Sequence, residues 1–245
     1  MASVAHALTG GLRAVGGAGE SVARHAGEMA QLAWDSLQAT VRGQVAFRDF
    51  IIQAYAMGVE SLPLVLVTAI LSGVVTSQQG GYQFTGSIPL YVLGSVVTNG
   101  VVLELGPVMT AIVFIGRVGA RITAELGTMQ VSEQIDAIYS LGRDPVRMLA
   151  APRILAGMLA MPFLVGLGYQ SFLYGARLFW HSYDLFYSLM KAEMFGFIIP
   201  LISVHMGLLT RGGAEGVGRA TTTSVVFMII AVLVADALFP PLFLN

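Results

Sequence analysis

Glu104 lies within an apolar run, where an ionised carboxylate at a helix centre costs roughly 2.5–3.5 kcal/mol on insertion scales. Such a group faces a cavity, a partner chain or water, or it takes up a proton. Two roles fit Glu104: a polar feature in a substrate path, or a structural carboxylate bonded to backbone near the Gly106-Pro107 break. Asp236 sits late in another apolar run and is read as a helix-packing or dimer-interface group. Glu60 lies near the start of a run, where its side chain can snorkel to water at small cost. His205 is read as a packed core or interface histidine. The four histidines of the chain are too dispersed to suggest a metal site, and none is expected.

A second group of polar residues has a different character. Val131 to Leu141 places Val131, Ile135 and Ile138 on one helical face and points Glu133, Gln134 and Asp136 elsewhere. Gly127 and Gly142 flank it. Asp144-Pro145 then supplies an N-cap and a first-turn proline for the next helix. By periodicity alone this is a short amphipathic or solvated surface helix.

Enzyme chemistry is thin. There is no cysteine, which removes disulfides, thiolate catalysis and Cys-ligated metals. Neither H-E-x-x-H nor G-x-S-x-G occurs. The glycines of Arg211–Thr223 invite comparison with a phosphate loop. No strand precedes them, however, and the sole lysine of the chain is Lys191, so there is no G-x-x-x-x-G-K-[ST] and no Walker-type ATP site. That segment is expected to be a tight turn. Transport is favoured over catalysis.

The elements that must position these residues are membrane helices. Of 245 residues, 56% are hydrophobic and 11% charged, against about 25% charged in soluble domains, and the mean hydropathy is +0.76. A net charge of −1 and the lack of a basic aromatic platform argue against nucleic acid. The expected fold is an all-α integral membrane protein with five transmembrane helices at about 51–76, 91–117, 154–174, 194–209 and 225–243, and a cytoplasmic helix at about 131–141. Residues 1–19 are small, Gly-rich and expected to be mobile, with no signal peptide. Residues 20–50 form an amphipathic helix too polar to span, with Trp34 suited to headgroup depth. It either lies in the interface or packs on the protein, and the two are compatible.

Basic residues set the expected orientation. With the N-terminus inside, Arg13, Arg24, Arg42, Arg48, Arg117, Arg121, Arg143, Arg147, Arg153, Arg211 and Arg219 fall on the cytoplasmic side. Only Arg177 and Lys191 fall outside, so the C-terminus is expected outside. The stretch from about 176 to 193, with Phe179, Trp180, Tyr183, Phe186 and Tyr187, reads as an outer interfacial loop. No internal repeat supports an inverted-repeat secondary transporter.

Several segments resemble the MlaE family, the permease subunits of lipid-transporting ABC systems that work with MCE proteins. The resemblance rests on Glu104-Leu-Gly-Pro107, Gly116-Arg-Val-Gly-Ala-Arg121, Ala124-Glu-Leu-Gly-Thr-Met129, Glu133-Gln-Ile-Asp-Ala137, Asp144-Pro-Val-Arg147 and Pro152-Arg153. A second block runs from Phe195-Gly-Phe-Ile-Ile199 through Gly212–Thr222 to Ala235-Asp236. Together they cover about 45–243. The resemblance implies a homodimer on two cytoplasmic ABC ATPases, which bind the ATP and Mg; this chain itself binds no cofactor. It also implies an MCE-domain ring on the periplasmic side and, in some systems, a small STAS-domain protein. The implied cargo is phospholipid or a related lipid, moved between the inner and outer membranes of a diderm bacterium. Glu133, Gln134, Asp136 and Ala137 would belong to the coupling helix that meets the ATPase.

Ile70, Leu71, Val74, Leu103 and Glu104 are expected, by depth and helical phase, to line an apolar lipid cavity. At Leu103 some relatives carry a basic residue, so Glu104 has no cationic neighbour in sequence. Two rivals are an ion-coupled transporter or channel using Glu104 and Asp236, and an intramembrane enzyme using Glu104 and His205. A passive assembly scaffold is a third.

Overall fold

The computed structural model describes residues 2–83, 99–170 and 182–243. Helix α1 spans Ala2–Val41, α2 Phe47–Met57 and α3 Leu62–Gln83. Helix α4 spans Val101–Val131 and α5 Gln134–Ser140. Helices α6, α7 and α8 span Ala151–Gln170, Ser182–Leu208 and Gly213–Phe243. No strand occurs among the described residues, and five helical segments are long and apolar enough to cross a membrane. The all-α, five-span architecture stands, with shifted boundaries.

Each shift has a local cause. The amphipathic helix starts at Ala2 rather than near residue 20, leaving no separate 1–19 segment, and it stops at Val41 where Gly43 takes a positive φ of 64°. The first span is bent at Gly58–Ser61, where a single 3₁₀ turn joins α2 to α3. Pro63 sits in the first turn of α3, directly after this interruption, and has no N–H for the Val59 carbonyl four residues back. The second span runs on to Val131, so Arg117 and Arg121 are helical rather than in a loop; residues 91–98 of its expected start lie outside the described residues. Val131 therefore ends α4, and α5 holds only Gln134–Ser140. Arg153 also lies within a helix, α6, which follows a π-turn at Val146–Ala150; residues 171–174 lie outside the described residues.

The largest corrections concern the last two spans. The fourth is not the short 194–209 segment: α7 begins at Ser182, so Tyr183, Phe186, Tyr187 and Lys191 are helical, not an outer loop. Phe179 and Trp180 lie outside the described residues. The segment Gly213–Thr223 is not a flexible turn either but the first three turns of α8. The turn is confined to Leu209–Gly212, with Gly212 and Gly213 at φ of 91° and 67°. These left-handed values are the ones that favour glycine.

Helices α6 and α7 form the centre, each more than half buried along its apolar window, while α3 and α8 are the least buried spans. Small residues let the central helices touch. A Cβ on Gly196 would stand 2.5 Å from the Gly157 carbonyl oxygen and 3.0 Å from Met161 Cβ. A Cβ on Gly207 would stand 2.7 Å from Leu126 Cβ, which marks a similar crossing of α4 on α7. Close approach of this kind is how helices associate where lipid removes the hydrophobic drive between them. Buried hydroxyls add a polar link: Thr123 Oγ1 donates to Ser224 Oγ at 2.9 Å, and Ser203 Oγ donates to the Ile199 carbonyl at 2.7 Å.

Helix α1 carries three faces. Leu32, Ser36 and Ala39, at spacings of four and three, are buried against the bundle. Val22, Trp34, Leu37 and Val41 form an exposed apolar face. Arg24, Gln31 and Arg42 lie on an exposed polar face. The packed face bears out a helix docked on the protein, and the exposed apolar face beside a polar one is the pattern that an interfacial helix would present.

Candidate functional site: a charged triad within the bundle

Helix α4 opens with a π-turn, Val101–Leu105, closed by the Gly106 N–H on the Val101 carbonyl. Pro107 follows and has no N–H for the Leu103 carbonyl four residues back. The Lys191 ammonium stands 3.4 Å from that oxygen. It donates to Glu104 Oε2 at 2.7 Å and lies 2.5 Å from Asp236 Oδ1. The contact with Asp236 is an ion-pair approach without a well-directed hydrogen bond. Lys191 is fully buried, Asp236 is 14% exposed and Glu104 is 48% exposed. The Tyr187 ring, one turn before Lys191, faces the ammonium at 5.7 Å from its centroid and packs edge-on to Phe239.

The Glu-Leu-Gly-Pro motif thus has a structural reading. The π-turn and the proline free one carbonyl, and the neighbouring carboxylate and that carbonyl together receive a lysine from another helix. The depth of the triad follows from helix rise. Tyr183 Oη donates to the Phe243 carbonyl at 2.6 Å, so the start of α7 and the end of α8 lie together. Lys191 is then about 13 Å along α7, and Asp236 about 10 Å back along α8, at 1.5 Å per residue. The triad therefore lies about two turns or more in from the paired ends of α7 and α8, within apolar stretches long enough to cross a hydrocarbon layer of about 30 Å.

Glu104 therefore does have a cationic partner, 87 residues away in sequence, and Asp236 shares it. Sequence reasoning missed Lys191 because its aromatic surroundings read as a loop. The available signal was that the only lysine sits between Met190 and Ala192, in phase with Tyr187 and Phe195 on a helical face.

The other quoted motifs also mark helix cross-links. Arg117 and Arg121 reach Glu60 at 3.3 and 3.5 Å, and Arg117 donates to Ser61 Oγ at 2.6 Å, tying the 3₁₀ turn within the first span to α4. Glu125 accepts from the buried Arg153 at 2.7 Å, tying α4 to α6. Asp144 Oδ1 accepts from the Val146 N–H at 2.9 Å, the N-cap expected from Asp144-Pro145.

The proposed cavity residues fall into two groups. Ile70, Leu71 and Val74 are 60%, 59% and 49% exposed, on the outer face of α3. The opposite face of α3, with Val65, Thr68 and Ser72, lines a small cavity against Val102, Met109 and Ser188. Its volume is about 60 Å³, whereas small-molecule pockets run to ~300–1,000 Å³. None of Ile70, Leu71, Val74, Leu103 or Glu104 borders it.

At the other end of the bundle, Glu133, Gln134, Asp136 and Ala137 are all exposed, while Ile135 beneath them is buried. Glu133 precedes α5 with φ of 59°, the only non-glycine at positive φ among the described residues. His205, near the end of α7, stands 3.0 Å from His25 of α1.

Five apolar helices cross-linked by ion pairs, around a buried lysine held by two carboxylates, define a multi-pass membrane protein. Comparison with known proteins gives its family. The family model described as "Permease MlaE" matches residues 50–170 and 165–241. A probable ABC transporter permease of Rickettsia prowazekii is 37% identical over 212 residues, covering 79% of this chain and 82% of that protein. A probable ABC transporter permease of Synechocystis is 35% identical over 215 residues, covering 80% and 82%. The chloroplastic protein TRIGALACTOSYLDIACYLGLYCEROL 1 of Arabidopsis thaliana is 35% identical over 224 residues, covering 84% and 64%. The chain belongs to the MlaE permease family and is an ABC transporter permease subunit, a class that works with an ATPase.

Proposed function

We propose that this chain is the membrane subunit of an ATP-driven transporter that moves phospholipids or related lipids between the inner and outer membranes of a diderm bacterium. The observation that carries this reading is the uncovered apolar surface of its two outermost spans. On α3 it comprises Ile70, Leu71 and Val74, and on α8 Ile230, Leu233 and Val234. The cavity behind α3 is far too small for a lipid, and the larger apolar recess lined by Phe47, Phe50, Leu155 and Pro162, about 480 Å³, is an open surface groove. An apolar cargo is expected to lie against the faces of α3 and α8, enclosed when a second copy of the chain covers them. Leu103 is half-buried and Glu104 half-exposed beside the same π-turn, which suits a polar rim to an apolar chamber.

In this reading the chain sits in the bacterial cytoplasmic membrane with its N-terminus inside and its C-terminus in the periplasm. Helix α5 then meets the cytoplasmic ABC ATPase through Glu133, Gln134, Asp136 and Ala137. ATP and Mg bind the ATPase, an MCE-domain ring continues the path on the periplasmic side, and a STAS-domain protein completes some assemblies. The ion-coupled alternative would need Glu104 and Asp236 free for a cation, but both are engaged by the Lys191 ammonium. Lipid mass spectrometry of the purified complex tests the cargo. Phospholipid bound in stoichiometric amount is expected, and a transport-competent preparation devoid of bound or transferred lipid would sink the reading.

A further inference from the structure

His25 Nδ1 lies 3.0 Å from His205 Nε2, and Glu28 Oε2 lies 3.9 and 3.7 Å from these two nitrogens. His25 and Glu28 are one helical turn apart on α1, and His205 is buried near the end of α7. We propose that His25, Glu28 and His205 form a binding site for a divalent transition-metal ion, zinc by ligand chemistry, that fastens α1 to α7.

The geometry supports three ligands on one ion. A triangle with these sides has a centre about 2.1 Å from each corner, within the ~2.0–2.2 Å range of zinc bonds to imidazole and carboxylate. A tetrahedral ion slightly out of that plane asks for ligand separations of about 3.3 Å. The two longer sides involve Glu28, the exposed member, which is free to close in. Two imidazoles and one carboxylate suit zinc rather than magnesium or calcium, which favour all-oxygen sets. The fourth position falls to water from an open cavity of about 410 Å³ that His25 lines with Met206, Thr210 and Arg219. Because the ligands come from two helices, an ion here adds a link that packing alone does not supply. Without an ion, the two histidines share one hydrogen bond.

Metal content of the tag-free, purified chain tests this. After equilibration with micromolar zinc and gel filtration, about one ion per chain is expected, and cobalt in its place should give the visible absorption of a four-coordinate site. His25→Gln and Glu28→Gln, both outside the buried core, should each weaken binding at least about tenfold. The double variant His6→Gln/His181→Gln, which removes the remaining histidines, should bind as the parent does. Absence of retained zinc, retention undiminished in His25→Gln, or a zinc signal that follows His6 and His181 would each overturn the proposal.

Discussion

Replacing Lys191 with methionine keeps the length of the side chain and removes the charge that holds Glu104 and Asp236. Breaking a buried ion pair by deleting one partner costs about 3–5 kcal/mol, because the remaining charge is buried without compensation. The two carboxylates differ in how much of that they feel. Glu104 is 48% exposed, so solvent screens its loss to roughly 1 kcal/mol or less. Asp236 is only 14% exposed and carries most of the penalty. Lys191→Met should therefore destabilise by about 3 kcal/mol, near the lower bound of that range. Adding Asp236→Leu removes the orphaned charge as well. A buried pair replaced by apolar groups is often neutral, so the double variant should recover about 2 kcal/mol, a coupling of the size expected for directly contacting residues. Equilibrium unfolding of the purified chain in mixed micelles, titrated with SDS, measures both. A cost below about 1 kcal/mol for Lys191→Met, or a double variant no more stable than the single, would refute the assignment of Lys191 as the counter-ion shared by Glu104 and Asp236.

Three further outcomes follow from the packing and the exposed helix. Gly196→Ala puts a methyl 2.5 Å from the Gly157 carbonyl and should cost about 1–3 kcal/mol or more through overpacking, read as a lower thermal midpoint in detergent; an unchanged midpoint would contradict the close crossing of α6 and α7. Asp144→Ala removes the cap on the Val146 N–H and should cost ~1 kcal/mol in the same assay. Glu133→Lys with Asp136→Lys changes only exposed side chains, so stability should stay within about 0.5 kcal/mol, while transport by the assembled complex should fall sharply. Unimpaired transport in that variant would favour a passive scaffold.

The span count was legible because apolar runs of this length have few other homes. Local signals were equally readable: Asp144-Pro145 caps the next helix as its residue types require, and Ile135 is buried beneath an exposed polar set. Boundaries failed where composition mimics a loop. Glycines at 212, 213, 216 and 218 suggested a turn, yet only Gly212 and Gly213 have positive φ, and the rest are helical. The aromatic stretch before Lys191 suggested an interfacial loop, which left the only lysine outside the membrane and Glu104 without a partner. The triad could not be read because it is a tertiary fact: its members come from α4, α7 and α8, separated by 87 residues in one case. Helical phase gave the outer face of α3 at Ile70, Leu71 and Val74, but which face meets a partner depends on the second chain.

ATP-driven lipid movement through this subunit can be measured by reconstituting the chain with its ATPase partner in vesicles containing fluorescent phospholipid. Lipid transfer should require ATP and stop when the ATPase is made catalytically dead. Transfer that continues unchanged with the dead ATPase, or ATP hydrolysis with no lipid moved, would contradict it.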